Sequence, residues 1–395
     1  MTDDFRYRPE PFGAMIALNE PSALVAVDRT KARALGIDGG EVWEQTDKGL
    51  DIDRFQAPNE VHLAVTARCP VGCQGCYMDA RPDRHHPTFE ELASRLRSLA
   101  GQGVFRVAFG GGEALIRDDL CELATLAREL GLEATMTTSG LGLTAERAKS
   151  FGDFAQINVS WDGPGHVHEQ VRGVGRGARE MAVRAIEHLV QADVPVGINM
   201  VLTRQSFDSL EQGARQAAAF GAQELQLLRY KPAGRATLEY QARRLTLEQR
   251  EELPGRLRSI VKQGLIRLRI DCSMIPFFSR DPESDVAAMQ RWGVQGCEGG
   301  RSLMTVGAKG RASPCSFWRD RDDYKAKSLS EAWERDAAMK GFRDFAAEPS
   351  EPCSTCSLRP VCRGGCRVVA KHLLGSAWLS DPECPRVVRY GLGKP

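Results

Sequence analysis

The chain has 395 residues, enough for one large core of roughly 250 residues with smaller modules beside it. Its 53 basic and 52 acidic residues leave a net charge of +1, so nothing argues for nucleic acid or a charged membrane surface as partner. The chain opens on no basic-then-apolar leader, and no run reaches the roughly 18 apolar residues of a membrane span, so a soluble, cytoplasmic protein is expected.

Residues 1–58 read as a separate N-terminal extension. "AMIALNEPSALVAVD" predicts a β-hairpin turning at 19–22, and "RTKARALGI" a short helix ending at Gly36. Residues 59–264 then alternate short apolar runs with amphipathic stretches. "VHLAV" (61–65), "VFRVAF" (104–109), "EATMTT" (133–138), "AQINVSW" (155–161), "VPVGINMVL" (194–202) and "ELQLLRY" (224–230) are each followed by a helical pattern. Pro254 should kink or restart the last of these helices. Six β-α units imply a parallel α/β sheet, either open and doubly wound or closed as a partial barrel. Either way, ligands bind at the C-terminal ends of the strands. Residues 265–296 form a bridging segment with one strand, "LIRLRID". From 297 to 395, Cys, Gly and Pro replace periodicity, so bound metal must do the work of a core.

Twelve cysteines are too many, and too clustered, for ordinary use in a reducing compartment. "TARCPVGCQGCYMD" (66–79) follows the first strand and holds Cys69, Cys73 and Cys76 as C-x3-C-x2-C. Three thiolates fit a [4Fe–4S] cubane whose fourth iron stays open to a small molecule. A zinc site with a distant fourth ligand and plain buried thiols are the bland alternatives. Gly72 and Gly75 would let the loop wrap a cluster. "AFGGGEALI" ends the second strand, bringing Glu113 to the same edge as a carboxylate for an ammonium group, although a glycine run alone can be just a turn.

These residues resemble the radical S-adenosylmethionine (radical SAM) family. The resemblance implies a partial (β/α)6 barrel in which SAM chelates the open iron and is reductively cleaved to a 5′-deoxyadenosyl radical. It carries SAM contacts onto Gly111, Gly112 and Glu113, onto Ser139 in "TTSG", onto Ser160 and Asp162 in "NVSWDG", and onto Arg172 in "VRG". Taken singly, Asp162 reads equally as a helix cap and Arg172 as a surface charge. The aromatic usual ahead of the last cysteine is replaced by Gly75, and Tyr77 stands just after it, so the adenine contact passes to Tyr77.

The remaining cysteines run Cys297, Gly310, Cys315, then "CSTCSLRPVCRGGC" with Cys353, Cys356, Cys362 and Cys366, then Cys384. A zinc knuckle is the plain reading of the C-x2-C pair. The full order resembles the SPASM extension of radical SAM proteins, a small cysteine-rich iron–sulfur domain that implies two auxiliary clusters. By that resemblance, Cys297, Cys315 and Cys366 hold auxiliary cluster I, and Cys353, Cys356, Cys362 and Cys384 hold auxiliary cluster II. Cys272, at the end of "LIRLRID", is a candidate fourth ligand of cluster I, a catalytic thiol or a structural cysteine. Cys121, on an amphipathic helix, reads as core.

Within the family, "FGGGEALIRDDL", "LLRYKPAGRA" and "CRGGCRVVAKHLLGSAWLSDPEC" resemble the peptide-modifying maturases, a group that includes the mycofactocin maturase and the pyrroloquinoline quinone biosynthesis enzyme. That implies an oxidoreductase acting on a ribosomally made precursor peptide (cross-link, decarboxylation or epimerisation), supplied by a flavodoxin- or ferredoxin-like electron donor. Arg229 and Tyr230, at the end of the sixth strand, are candidate substrate-side residues or mere barrel packing. Radical chemistry on a protein side chain, as in sulfatase maturation, or on a sugar alcohol is the alternative. A redox-sensing metal module is a third reading, but it needs no adenosine site. The hairpin at 1–58 either offers an edge to a leader peptide or packs on the barrel.

Overall fold

The computed structural model describes residues 5–18, 23–44, 55–291, 293–318, 326–345 and 349–393. The N-terminal extension is a three-stranded antiparallel sheet, β1 (Phe5–Glu10), β2 (Gly13–Leu18) and β3 (Ala23–Asp28), followed by helices Arg29–Ala34 and Gly40–Glu44. The expected hairpin is β2–β3, with Leu18 opposite Ala23, and its turn at 19–22 lies outside the described residues. β1 is an addition that Arg6, Arg8 and Pro9 conceal in the sequence. Those arginines have a packing role. Both guanidinium groups lie over the Phe105 ring, at 5.7 and 5.1 Å, and Arg8 donates to the carbonyls of Pro58 and Gly103.

The main sheet contains β4 (Glu60–Thr66), β5 (Arg106–Gly111), β6 (Glu133–Thr138), β7 (Gln156–Ser160), β8 (Val196–Leu202) and β9 (Glu224–Arg229). These are the six expected strands. They lie side by side in chain order and all parallel, with no reversal of strand order. That order is the barrel alternative rather than the doubly wound one. Strand interiors are covered on both faces, as parallel sheets require. In β8 every residue but Val201 is buried. Helix Phe89–Gly101 buries Leu92, Ala93, Leu96 and Leu99 and starts from a Thr88–Glu91 capping box.

Three further strands extend this sheet. β10 (Arg267–Ile270), from the bridging segment, pairs parallel with β9. β11 (Leu303–Val306) pairs parallel with β4 on the other side and carries β12 (Ala312–Ser313) antiparallel. The cysteine-rich region is therefore tied by backbone hydrogen bonds to the strand that leads into the first cysteine loop. Helix Leu247–Gln263 runs unbroken through Pro254, against the expected restart. Burial of Leu253, Leu257 and Ile260 offsets the hydrogen bond that proline removes. The N-terminal sheet meets the barrel at residues 58–59 and 103–106, the N-terminal ends of β4 and β5. It thus packs on the end opposite the cysteine loops. Among the described residues, no helix is long and apolar enough to cross a membrane.

Candidate active site and cluster sites

The loop after β4 is fixed from four directions. Gly112 N–H donates to the Thr66 carbonyl at 2.8 Å, and Glu113 N–H to the Arg68 carbonyl at 2.9 Å. A Cβ on Gly111 would stand 2.1 Å from the Thr66 oxygen, and one on Gly112 2.0 Å from the Arg68 oxygen. The glycine run therefore lets the end of β5 close on the cysteine loop. On the next side, Gln74 N–H donates to the Arg172 carbonyl, and the Arg172 guanidinium reaches the Cys73 sulfur at 4.0 Å. From the 3-10 turn Gly234–Thr237 after β9, the Arg235 guanidinium donates to the Cys73 carbonyl through two nitrogens (3.1 and 2.8 Å) and to the Ala80 carbonyl. It also pairs with Asp79 at 2.8 Å. Finally, Cys69 N–H bonds the Arg81 carbonyl. Of the two loop glycines, only Gly72 takes a positive φ, +75°. Gly75 is needed for space instead. A Cβ there would lie 2.9 Å from the Tyr230 hydroxyl, so an aromatic ring does cover this position, but it comes from the end of β9.

Glu113 is buried with four donors on its carboxylate. Oε1 accepts from Thr138 Oγ1 (2.5 Å) and Leu115 N–H (3.0 Å), and Oε2 from Ser139 Oγ (2.5 Å) and N–H (2.8 Å). "TTSG" thus orients the carboxylate. Asp162 is fully buried. Its Oδ1 accepts from Val201 N–H at 2.8 Å and its Oδ2 from Arg172 Nε at 2.7 Å. Burial works against charge on Arg172, but Asp162 and the Cys73 thiol hold its pKa above the usual arginine value. Asp162 therefore holds Arg172 in its charged form and fixes its orientation. Behind it, Asp162 N–H donates to His168 Nδ1, and burial lowers the pKa of His168, keeping it neutral. Ser160 ends β7 opposite Asn199, at the same edge. The Tyr77 ring lies 4.6 Å from Phe317, two residues past Cys315, so this loop touches the cysteine-rich region.

The other cysteines gather in two groups. Burial raises Cys315 to about 12, with smaller effects from Lys231, Cys297 and Cys366. Burial also raises Cys272, which feels Asp271, Cys297 and Lys231. Cys297, Cys315 and Cys366 share one packed cluster with Tyr230, and Cys272 directly follows Asp271, the partner of Lys231, whose Nζ lies over the Phe317 ring two residues past Cys315. Cys353, Cys356, Cys362 and Cys384 all line a single cavity with Phe345, Leu358 and Val387. Among the described residues, no three His, Cys, Asp or Glu side chains are set to hold one metal ion. Four thiols per group match the ligand need of a cubane, one on each iron. Cys121 packs beside the barrel core, its sulfur 3.0 Å from Ser150 Oγ.

Arg229 is buried in an ion cluster. It pairs with Asp381 (2.6 and 3.1 Å) and Glu383 (2.7 Å), and Arg244 also reaches Glu383 (2.9 Å). Asp381 Oδ2 accepts the Cys366 N–H as well. Arg229 thus clamps the Cys366–Cys384 region onto β9 and has no open face toward a substrate. Tyr230 is buried against Tyr240 (6.2 Å, near-parallel), and burial pushes its pKa up to about 12. Three residues escaped the sequence reading: Lys231, Arg235 and Asp271. Lys231 and Arg235 share "LLRYKPAGRA" with Arg229, and a strand-end run with three cations was the available signal.

The superfamily model for radical SAM proteins matches residues 63–217, and the SPASM iron–sulfur cluster-binding domain model matches residues 297–357. PqqA peptide cyclase from Ruegeria pomeroyi is 29% identical over 371 residues, covering 88% of this chain and 90% of that protein. Mycofactocin maturase MftC from Mycolicibacterium smegmatis is 29% identical over 353 residues, covering 86% and 85%. Streptococcus suis SuiB, solved with precursor peptide SuiA, shares the fold at a TM-score of 0.77 and 17% identity, covering 97% of this chain and 99% of that one. The cysteine loop, the Glu113 and Arg172 environments and the two later cysteine groups thus stand in a recognised frame: the chain carries a radical SAM domain and a SPASM iron–sulfur cluster-binding domain, and is an enzyme using a [4Fe–4S] cluster with SAM and two auxiliary iron–sulfur clusters.

Proposed function

We propose that this enzyme modifies a ribosomally made precursor peptide by abstracting a hydrogen from a side chain or α-carbon. What supports the reading is three cysteine groups in a chain that aligns along most of its length with a PqqA peptide cyclase and a mycofactocin maturase. Cys69, Cys73 and Cys76 hold the cluster that binds SAM, which supplies reductive cleavage to a 5′-deoxyadenosyl radical. Glu113, oriented by Thr138 and Ser139, receives the SAM ammonium, and Arg172, charged by Asp162, receives its carboxylate. Gly111 and Gly112 hold the loop in place, while Ser160 and Tyr77 border the adenosine. Cys297, Cys315, Cys366 and Cys272 hold auxiliary cluster I, and Cys353, Cys356, Cys362 and Cys384 hold auxiliary cluster II.

Arg229 and Tyr230 support the site: Arg229 as the clamp on the SPASM region, Tyr230 as the ring over Gly75. A cytoplasmic setting and a flavodoxin- or ferredoxin-like donor follow from the need for a low-potential electron. The β1-β2-β3 order leaves β3 at a sheet edge with Leu24 and Val25 exposed, where a leader segment can add a strand. The test is anaerobic deoxyadenosine production from SAM, with and without short peptides encoded beside the gene. Stimulation by one of them, with a mass change in that peptide, is expected. Stimulation by a sulfatase-derived cysteine or serine peptide alone would overturn the proposal in favour of the protein-side-chain reading.

A further inference from the structure

Lys231 is a buried ammonium that the proposed SAM chemistry leaves unused. It sits two residues past Arg229, at the top of β9, and is only 6% exposed. Its Nζ pairs with Asp271, itself 7% exposed and covalently next to Cys272. The same Nζ lies 4.1 Å from the centre of the Phe317 ring, and the Phe317 backbone N–H donates to the Cys315 sulfur at 3.4 Å. Lys231 is thus held between the chain neighbours of two cysteines in the same group. Burying an ammonium is costly, and one carboxylate and one ring face offset that cost only in part. The remaining compensation is the negative charge that four thiolates bring. The thiols of Cys272, Cys315 and Cys366 all feel Lys231, in agreement with this placement.

We propose that Lys231 is a positioning residue for auxiliary cluster I, whose fixed positive charge, oriented by Asp271 and Phe317, raises the reduction potential of that cluster. The physics is direct. Reduction adds one negative charge to a cluster in a low-dielectric surround, so a nearby cation favours the reduced state and a nearby anion disfavours it. Lys231 and Asp271 therefore act with opposite sign at one site. The effect is to make this cluster easier to reduce than it would be without Lys231. The inference rests on assigning Cys272, Cys297, Cys315 and Cys366 to one cluster.

The experiment is an anaerobic redox titration of the reconstituted holoenzyme, followed by electron paramagnetic resonance, on wild type, Lys231→Met, Lys231→Arg and Asp271→Asn. Iron is counted first. Lys231→Met should keep its iron and move one of the three cluster signals to lower potential. Lys231→Arg should restore that signal, and Asp271→Asn should move the same signal upward. A purely structural pair would shift both charge-removing variants in the same direction. Unchanged potential in Lys231→Met with full iron overturns the role of Lys231 while leaving the clusters standing. Should Lys231→Met lose iron, Asp271→Asn decides: an upward shift supports the proposal and no shift overturns it. A wild type with about eight irons, unchanged in Cys315→Ala, removes the cysteine assignment itself.

Discussion

Arg235→Met should detach the cysteine loop from the barrel. The Arg235 guanidinium is 21% exposed and bonds the carbonyls of Cys73 and Ala80 and the Asp79 carboxylate. A hydrogen bond from a charged donor contributes roughly 1.5–3 kcal/mol net, and a carbonyl left without a partner costs about 1–3 kcal/mol. The two carbonyls lose this donor together, while Asp79 keeps Arg81 and Arg84. Because they are coupled and partly wet, about 3–5 kcal/mol is the reasonable total. At about 1.4 kcal/mol per decade, the equilibrium constant for the ordered loop falls by roughly two to three and a half decades. Arg235→Lys should recover only part of this, because an ammonium cannot bridge a carbonyl and a carboxylate as a fork does. The assay is iron retention under a chelator, with deoxyadenosine production alongside. Arg235→Met should release about four irons long before the rest and lose SAM cleavage in parallel. Wild-type retention and a wild-type rate in Arg235→Met would refute the reasoning.

Cys69→Ala, Cys73→Ala or Cys76→Ala should abolish SAM cleavage while keeping about eight irons, whereas Cys353→Ala should mainly harm folding or turnover and leave cleavage measurable. Arg229→Met removes the partner of two buried carboxylates and should destabilise the fold by about 3–5 kcal/mol in chemical denaturation, so an unchanged midpoint with a raised KM would return Arg229 to the substrate. Glu113→Gln places an amide NH2 against two donors whichever way it turns, so SAM affinity should fall at least tenfold by equilibrium binding, roughly 1.4 kcal/mol. His168 has its folded pKa lowered by burial, so its stabilising contribution is complete above the ordinary histidine value and is lost as pH falls from there toward the folded pKa. Denaturation midpoints should therefore drop between pH 7.5 and 5.5, by less in His168→Gln; equal drops would show that His168 is not the group responsible.

The barrel was legible because buried parallel strands write near-continuous apolar runs, as "VPVGINMVL" does, and the glycine stops between them mark the connections. β11 was not, because "LMTV" is four residues long and joins the main sheet only by pairing with β4, far away in the chain. β1 was hidden for the opposite reason: its arginines read as solvent-facing, yet they pack on Phe105. The cysteine pattern was legible as spacing alone. The residues that hold it were not, since Arg235 meets Cys73, and Arg229 meets Asp381, only after the sheet has brought them together. Gly75 shows the same limit. Read alone it is a missing aromatic, but with Tyr230 against it the ring is present and arrives from another strand.

The three cysteine groups are expected to hold three cubanes, one of them open to SAM. Anaerobic iron and sulfide content of the purified, reconstituted chain tests it most directly. About twelve irons and about twelve sulfides per chain are expected, with one cluster signal that changes on adding SAM. About four irons with bound zinc, or no spectral response to SAM, would contradict it.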